Sequence, residues 1–278
     1  MPDKSNLHYA DIELKDEILE YVRSQYKVDL TMYSESSVRR RLAKMLQHYD
    51  IVGFEDFKAT FSQIENGKDE FLKHFTVNVT EMFRDPHCFK ILQEEVFPQL
   101  AKKETIKIWS AGCSTGEEVL SLNILLHENG LLEKSTVLAT DISTEAIEHA
   151  KSATYKIRHI KSYLKQYTMT GGKHGLEQYF TMERDEVIFK KFINQNTTFK
   201  VHNIISDELA ESFDLILCRN LLIYFNANLQ NTVLSDFYQK LHLNGYLALG
   251  NKESIIFYDG RGAFEEIADE SRIFRKKR

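Results

Sequence analysis

Cysteine is scarce and odd in number: Cys88, Cys113 and Cys218 are the only three in 278 residues, and they are scattered. Such a set argues against a disulfide framework, and no Cys/His cluster has the spacing of a structural zinc site, so no metal is expected. Long apolar runs are missing too. None approaches the roughly 18–20 residues that a membrane span needs, and the N-terminus lacks the apolar core of a signal peptide. There is no excess of positive charge either: 36 Lys and Arg face 41 Asp and Glu, a net charge of −5. That balance argues against nucleic acid as a bulk partner. Internal repeats and low-complexity tracts are absent. The remainder, 42% hydrophobic and 28% charged, is ordinary globular composition, expected of a cytoplasmic monomer with one large or two unequal domains.

Residues 1–76 read as wholly helical. Asp11 to Tyr26 carries Leu14, Ile18 and Val22 at helical spacing. Ser36 or Ser37 can cap a second helix bearing Val38, Leu42, Met45, Leu46 and Tyr49. Phe54, Phe57 and Phe61 after Gly53 mark a third, and Asp69 to Phe75 a fourth. From 77 to 278 the pattern changes. A helix after Pro86 should kink or end near Pro98. Strands are then expected at Ile106–Trp109, Thr136–Thr140, Phe199–His202, Phe213–Cys218 and Tyr246–Gly250. Helices Glu117–Glu128, Thr144–Lys151 and Leu229–Leu241 alternate with them. This implies an α/β fold with a mostly parallel sheet, closed by an antiparallel pair at Ala263–Ile267 and Ser271–Arg275. Residues 152–194 interrupt the alternation with β-like runs at Gln178–Met182 and Glu186–Phe192, a small antiparallel insertion.

The run IKIWSAGCSTGEE, Ile106 to Glu118, joins a strand to a helix through a turn containing Gly112 and Gly116. Strand, glycine turn and helix let the backbone approach a nucleotide-like ligand. Phosphate loops place a Lys after the second glycine; this turn places Glu117 and Glu118 there. Acids suit ribose hydroxyls or a cation and repel polyphosphate, a polarity that fits S-adenosylmethionine. Asp141, ending the second strand, stands where such folds grip ribose. Arg219, Asn220 and Tyr224 follow another buried strand and His202-Asn203 a further one, so these segments should rim the same crevice. Asn78, Thr80 and Arg84 alternate with Val79, Met82 and Phe83 before Pro86.

Four segments in this order resemble the CheR chemotaxis receptor methyltransferases: N-x-T-x-x-F-R-D-P at Asn78–Pro86, WSAGCSTGEE at Trp109–Glu118, CRN-x-x-IYF at Cys218–Phe225 and G-x-x-E-S at Gly250–Ser254. The resemblance covers nearly the whole chain. It implies a Rossmann-like, class I S-adenosylmethionine-dependent methyltransferase domain (77–278, with a linker at 77–88) behind an all-helical receptor-recognition domain (1–76). It implies that Asn78, Thr80 and Arg84 hold the cofactor from the linker. Gly112, Glu117, Asp141, Asn203, Ile204, Arg219 and Asn220 would line the rest of its pocket, with Tyr224 near the transferred methyl group. The implied reaction moves a methyl from S-adenosylmethionine to receptor glutamates, releasing S-adenosylhomocysteine, with Tyr224 and Arg84 as the catalytic residues. Arg39, Arg40, Arg41 and Lys44 share one helix, and in this family context they read as a cradle for glutamate-rich receptor helices. The chain departs from the family at Met82, at Asn251-Lys252 and in having no arginine between Arg84 and Arg158. The insertion is short beyond Tyr179-Phe180, so tethering to a receptor-tail pentapeptide is not expected. The missing arginine and the Asn251-Lys252 change leave a second expectation open, a cofactor-binding signalling module with little turnover.

Overall fold

The computed structural model describes residues 12–76, 80–268 and 270–277. The chain divides into two compact units, Met1–Val77 with Tyr224–Leu229, and Asn78–Ile223 with Gln230–Arg278. In the first, α1 (Ile12–Tyr26), α2 (Glu35–His48), α3 (Phe54–Gln63) and α4 (Gly67–Phe75) follow the apolar spacing. Their inner faces make an aromatic-rich core. Phe57 and Phe61 stack at 4.6 Å, Phe71 and Phe75 at 5.4 Å, and Ile18, Val22 and Leu42 are fully buried. The expected cap of α2 is corrected: Ser34 is the N-cap, and Ser36 and Ser37 lie inside the first turn. Ser34 still ties down that turn, because its carbonyl accepts from the Ser37 and Val38 N–H groups.

The second unit begins with α5 (Pro86–Ile91), which passes through a π-helical turn, Leu92–Val96, into α6 (Phe97–Leu100). Pro98 has no N–H to offer the carbonyl of Glu94, and Phe97 bonds Leu92, five residues back. The expected kink therefore takes the form of a widened turn. The strands are β1 (Ile106–Ala111), β2 (Ser135–Asp141), β3 (Thr154–Lys156), β4 (Phe180–Glu183), β5 (Glu186–Phe189), β6 (Thr197–Val201), β7 (Phe213–Cys218), β8 (Leu241–Leu249), β9 (Phe264–Glu266) and β10 (Ile273–Lys276). The helices between them are α7 (Glu117–Glu128), α8 (Thr144–Ser152), α9 (Ile160–Met169) and α10 (Ala227–Lys240).

The large sheet has the order β6-β2-β1-β7-β8-β10-β9. Its pairs from β6 to β8 are parallel, and β10 runs antiparallel to β8 and β9. From β1 the chain moves outward to β2 and β6, then returns to the other side of β1 as β7. The order thus reverses between β1 and β7, and ligands in such sheets bind beyond the carboxyl ends at that point. The insertion forms a separate sheet, β3-β5-β4. Its third strand, β3, and α9 have no counterpart in the sequence-based expectation. β3 is three residues long and follows a left-handed Ala153 (φ 48°), too short for a period-2 signal. For α9 the i,i+4 pair Tyr163 and Tyr167, both buried, was the available cue.

One buried carboxylate braces the amino ends of β1 and β7. Asp214, 3% exposed, accepts from Lys103 Nζ at 2.5 Å and the Lys107 N–H at 2.8 Å, and meets His242 Nδ1 at 2.9 Å. Burial pushes its carboxyl upward, but the Lys103 ammonium, the Lys107 N–H and His242 outweigh that and hold it below the usual value. A depressed carboxylate stabilises above its unfolded pKa of about 3.9, and the contribution is lost as pH falls through the lower folded value. Asp214→Asn should therefore lower unfolding free energy by about 1.5–3 kcal/mol at pH 7. Urea titrations should show the difference shrinking below pH ~4; a gap that stays constant with pH would mean that ionisation is not its source.

Candidate active site

Beyond Ala111 the backbone turns through three left-handed residues, Gly112 (φ 80°), Ser114 (φ 49°) and Gly116 (φ 92°). The Gly112 and Cys113 N–H groups bond the Thr140 carbonyl at 2.8 and 2.9 Å, pinning the turn to the tip of β2. Gly116 is required twice over: its φ disfavours side chains, and a Cβ would lie 2.8 Å from the Ala150 Cβ and 3.2 Å from the Tyr155 hydroxyl. That hydroxyl donates to the Thr115 carbonyl at 2.7 Å, so the insertion braces the turn from the side.

Asp141 sits against this turn. Its Oδ2 accepts from the Ser114 N–H at 2.8 Å and its Oδ1 from the Ser143 N–H at 3.0 Å. Burial lifts its pKa, opposed by the Ser143, Ser114 and Ile142 N–H groups. An ionised carboxylate has about four acceptor sites, so capacity remains for two ligand hydroxyls. Glu117 opens α7 with a buried side chain that accepts from the Thr115 hydroxyl at 2.7 Å, with the Tyr163 hydroxyl at 3.5 Å. Burial pushes its pKa up as well. Across β2 and β6 the His202 N–H bonds the Asp141 carbonyl at 2.9 Å. Asn203 then closes a turn: its N–H donates to Asp207 and its side-chain carbonyl accepts from the Ile205 N–H at 3.0 Å. Ile204 is partly buried in that turn. Gly112, Asp141, Asn203 and Ile204 thus stand at or just beyond the ends of neighbouring strands, with Glu117 at the start of α7. Two carboxylates and backbone N–H groups without a lysine fit an uncharged ribose and a sulfonium cation, and S-adenosylmethionine has both.

Arg219 is placed differently from a pocket-lining residue. Its side chain is 1% exposed, pairing with Asp85 at 2.9 Å and Glu118 at 3.3 Å. It also donates to the Arg84 carbonyl at 2.7 Å and lies 5.2 Å above the Phe89 ring. Burial works against its charge, yet nearby anionic groups, Glu118 and Asp85 among them, hold its pKa above the ordinary value. The linker motif is fixed by this contact and by the Phe83 N–H, which donates to the Ser121 hydroxyl on α7 at 2.8 Å. Thr80 and Arg84 are partly buried along it, and Asn78 lies outside the described residues. Asn220 is left-handed (φ 63°). Its N–H and those of Leu222 and Gly250 all donate to Glu253, at 2.8, 2.7 and 2.6 Å. The neighbouring Asn251 and Lys252 are exposed, so the departure from the family at these positions points to solvent. The roles of Ser121, Tyr155 and Glu253 were not anticipated; the cue for Ser121 was a lone hydroxyl within the apolar run of α7.

The basic run on α2 divides. Arg40 and Lys44 are exposed, and Arg39 is bonded to Glu35 at 2.7 Å. The expectation for Arg41 is corrected: it is 5% exposed and cannot belong to a solvent-facing cradle. The reason is helical phase. Arg41 stands three after Val38 and four before Met45, on the buried stripe, whereas Arg40 and Lys44 share the opposite face. Tyr224, with the segment to Leu229, belongs to the helical unit.

Residues 78–271 match the family profile "CheR methyltransferase, SAM binding domain", and residues 16–76 match "CheR methyltransferase, all-alpha domain". A Pseudomonas putida protein designated "Putative methyltransferase Cher3" is 36% identical over 96% of this chain and 97% of its own length. The chemotaxis protein methyltransferase of Listeria innocua is 28% identical over 84% of this chain and 87% of its own. That of Salmonella typhimurium is 29% identical over 85% and 82%. Among the described residues no helix is long and apolar enough to cross a membrane, and no cluster of side chains could hold a metal.

Asp141→Ala should weaken S-adenosylmethionine binding by about 1.5–3 kcal/mol, the scale of hydrogen bonds to a charged group. Calorimetry on the folded variant reads this directly, and unchanged affinity would remove Asp141 from the pocket.

Proposed function

The chain belongs to the CheR methyltransferase family, its cofactor is S-adenosylmethionine, and from this we propose that it methylates glutamate side chains on the cytoplasmic helices of chemoreceptors. The observation that carries the reading is that one chain holds both family domains, the all-α one over 16–76 and the cofactor-binding one over 78–271. Bound S-adenosylmethionine supplies an electrophilic methyl group on a sulfonium. A receptor glutamate, with an ordinary pKa near ~4.3, is already ionised at neutral pH, so the enzyme needs no strong general base. What remains is alignment and exclusion of water. In this reading Asp141 takes the ribose hydroxyls and Asn203 the adenine edge. Asn78, Thr80, Gly112, Glu117, Ile204 and Asn220 complete the pocket, and Arg84 faces the cofactor's carboxylate. Arg219 contributes by holding the linker motif. Tyr224 orients the receptor carboxylate. Arg40 and Lys44, with Arg39 beside them, meet the acidic receptor helix. The place of action is the cytoplasm, where those helices are, and the enzyme works as a monomer with no nucleic-acid partner. Exposure of Asn251 and Lys252 weakens the alternative of a cofactor-binding module with little turnover, because the substitution does not reach Glu253.

Tritiated methyl transfer from S-adenosylmethionine to a receptor cytoplasmic fragment, giving a base-labile product, is the decisive measurement. Arg40→Ala/Lys44→Ala should lower that transfer several-fold, most at low salt, and leave cofactor affinity unchanged. Transfer at the wild-type rate at every ionic strength would make the pair a solvated face. A base-stable product would exclude the ester.

Receptor-tail tethering is a separate matter. β4 is an edge of the small sheet, and peptide addition as a strand needs such an edge. Here β4 and β5 are joined by Arg184 and Asp185 alone, and Glu183, Asp185 and Glu186 gather at that end. An acidic tail meets Glu183 and Asp185 there, Glu186 being paired with Lys156, and few main-chain partners. A free tail pentapeptide is expected to bind no more tightly than about millimolar, ~4 kcal/mol, and a tail-deleted receptor should be methylated at the full rate. Micromolar binding in calorimetry contradicts this.

A further inference from the structure

The helical unit contains, besides residues 1–77, the segment Tyr224–Leu229. That segment is held by main-chain bonds: Ser34 N–H to the Tyr224 carbonyl at 2.8 Å and Asn226 N–H to the Met32 carbonyl at 3.0 Å, around an antiparallel bridge between Tyr33 and Phe225. The Tyr33 and Phe225 rings meet edge to face at 5.0 Å. Beneath lies Arg41. Its guanidinium carbon is 4.1 Å from the centre of the Tyr224 ring and 5.3 Å from that of Phe75, and Nη1 donates to the Phe75 carbonyl at 2.6 Å. Among the described residues its Nε and Nη2 find no acceptor.

One N–H of this cation caps the last carbonyl of α4, but the rest of the group is costly to bury. Among the described residues no carboxylate is paired with it and two of its nitrogens find no acceptor. Of its two ring contacts the nearer is the face of Tyr224, where a guanidinium over an aromatic is attractive and restrains the plane of the ring. Burial lowers the Arg41 pKa and Tyr224 and Tyr33 raise it, but an arginine remains charged at any working pH. From this geometry we infer that Arg41 is a positioning residue for methyl transfer: it acts through Tyr224, holding the phenol in the orientation that receives the receptor carboxylate. The inference rests on the reading of Tyr224 given above.

The test is a double-mutant cycle on methyl transfer by the full chain, with receptor fragment as acceptor. Arg41→Met should lower kcat at least tenfold, with the receptor KM changed less than threefold and S-adenosylmethionine affinity unchanged by calorimetry. Arg41→Lys, which restores a cation over the ring, should recover part of the loss. Arg41→Met added to Tyr224→Ala should cost no further activity, because the ring through which Arg41 acts is gone. Additive losses overturn the inference, as does a rise in receptor KM with kcat intact, which would make Arg41 a docking cation. Wild-type kcat in Tyr224→Ala alone would instead sink the reading of Tyr224. Should methionine at 41 prevent folding, the same cycle run with Arg41→Lys decides between the same outcomes.

Discussion

The cofactor-binding unit depends on one buried cation. Arg219 follows β7 directly, and its guanidinium is held by Asp85, Glu118 and the Arg84 carbonyl. Those partners come from the linker and from the start of α7, so the contact joins segments that lie 101 and 134 residues from Arg219 in sequence. A guanidinium so enclosed is stable only with its partners, since removing one from a buried pair leaves an uncompensated charge worth about 3–5 kcal/mol. Its planar fork suits this task, because one group can meet two carboxylates and a carbonyl together. The same contact fixes the main chain at Arg84, whose carbonyl it engages.

Glu253 does the corresponding work on the other side of β7. It receives the N–H groups of Gly250, Asn220 and Leu222, which a tight turn through a left-handed Asn220 would otherwise leave without partners. Gly250 is confined by the same arrangement, as a Cβ there would come within 2.9 Å of the Asn220 nitrogen. The charged residues of the sequence motifs therefore fall into two groups. Arg219, Glu118, Asp85 and Glu253 hold the chain together, and Asp141 keeps acceptor capacity toward the strand ends.

The periodic parts of the fold were legible in the sequence: α7 and β7 have the bounds that their apolar patterns indicate. Short elements were not legible, because three residues of β3 carry too little alternation to register. At the site, the glycine turn of Gly112 and Gly116, and Asp141 at the end of β2, stand where the strand-turn-helix pattern puts them, because their placement follows from local backbone geometry. Arg219 could not. Its position at the end of a buried strand is the same for a ligand contact and for a buried brace, and only the tertiary placement of Asp85 and Glu118 separates them. Ser121 and Tyr155 were hidden for the same reason, since each acts on a segment more than thirty residues away.

Three consecutive arginines show how far helical phase alone goes. Successive residues are turned by about 100° around the axis, so Arg39, Arg40 and Arg41 cannot share a face. Arg41 falls on the stripe of Val38, Leu42 and Met45, so it must be buried wherever that stripe is. What phase cannot supply is the neighbour. That the cover is Tyr224, returning from a segment far along the chain to pair with Tyr33 and Ser34, follows from the tertiary fold. A run that reads as one basic surface thereby divides into an exposed pair, Arg40 and Lys44, and a buried cation that lies over an aromatic ring of its own chain.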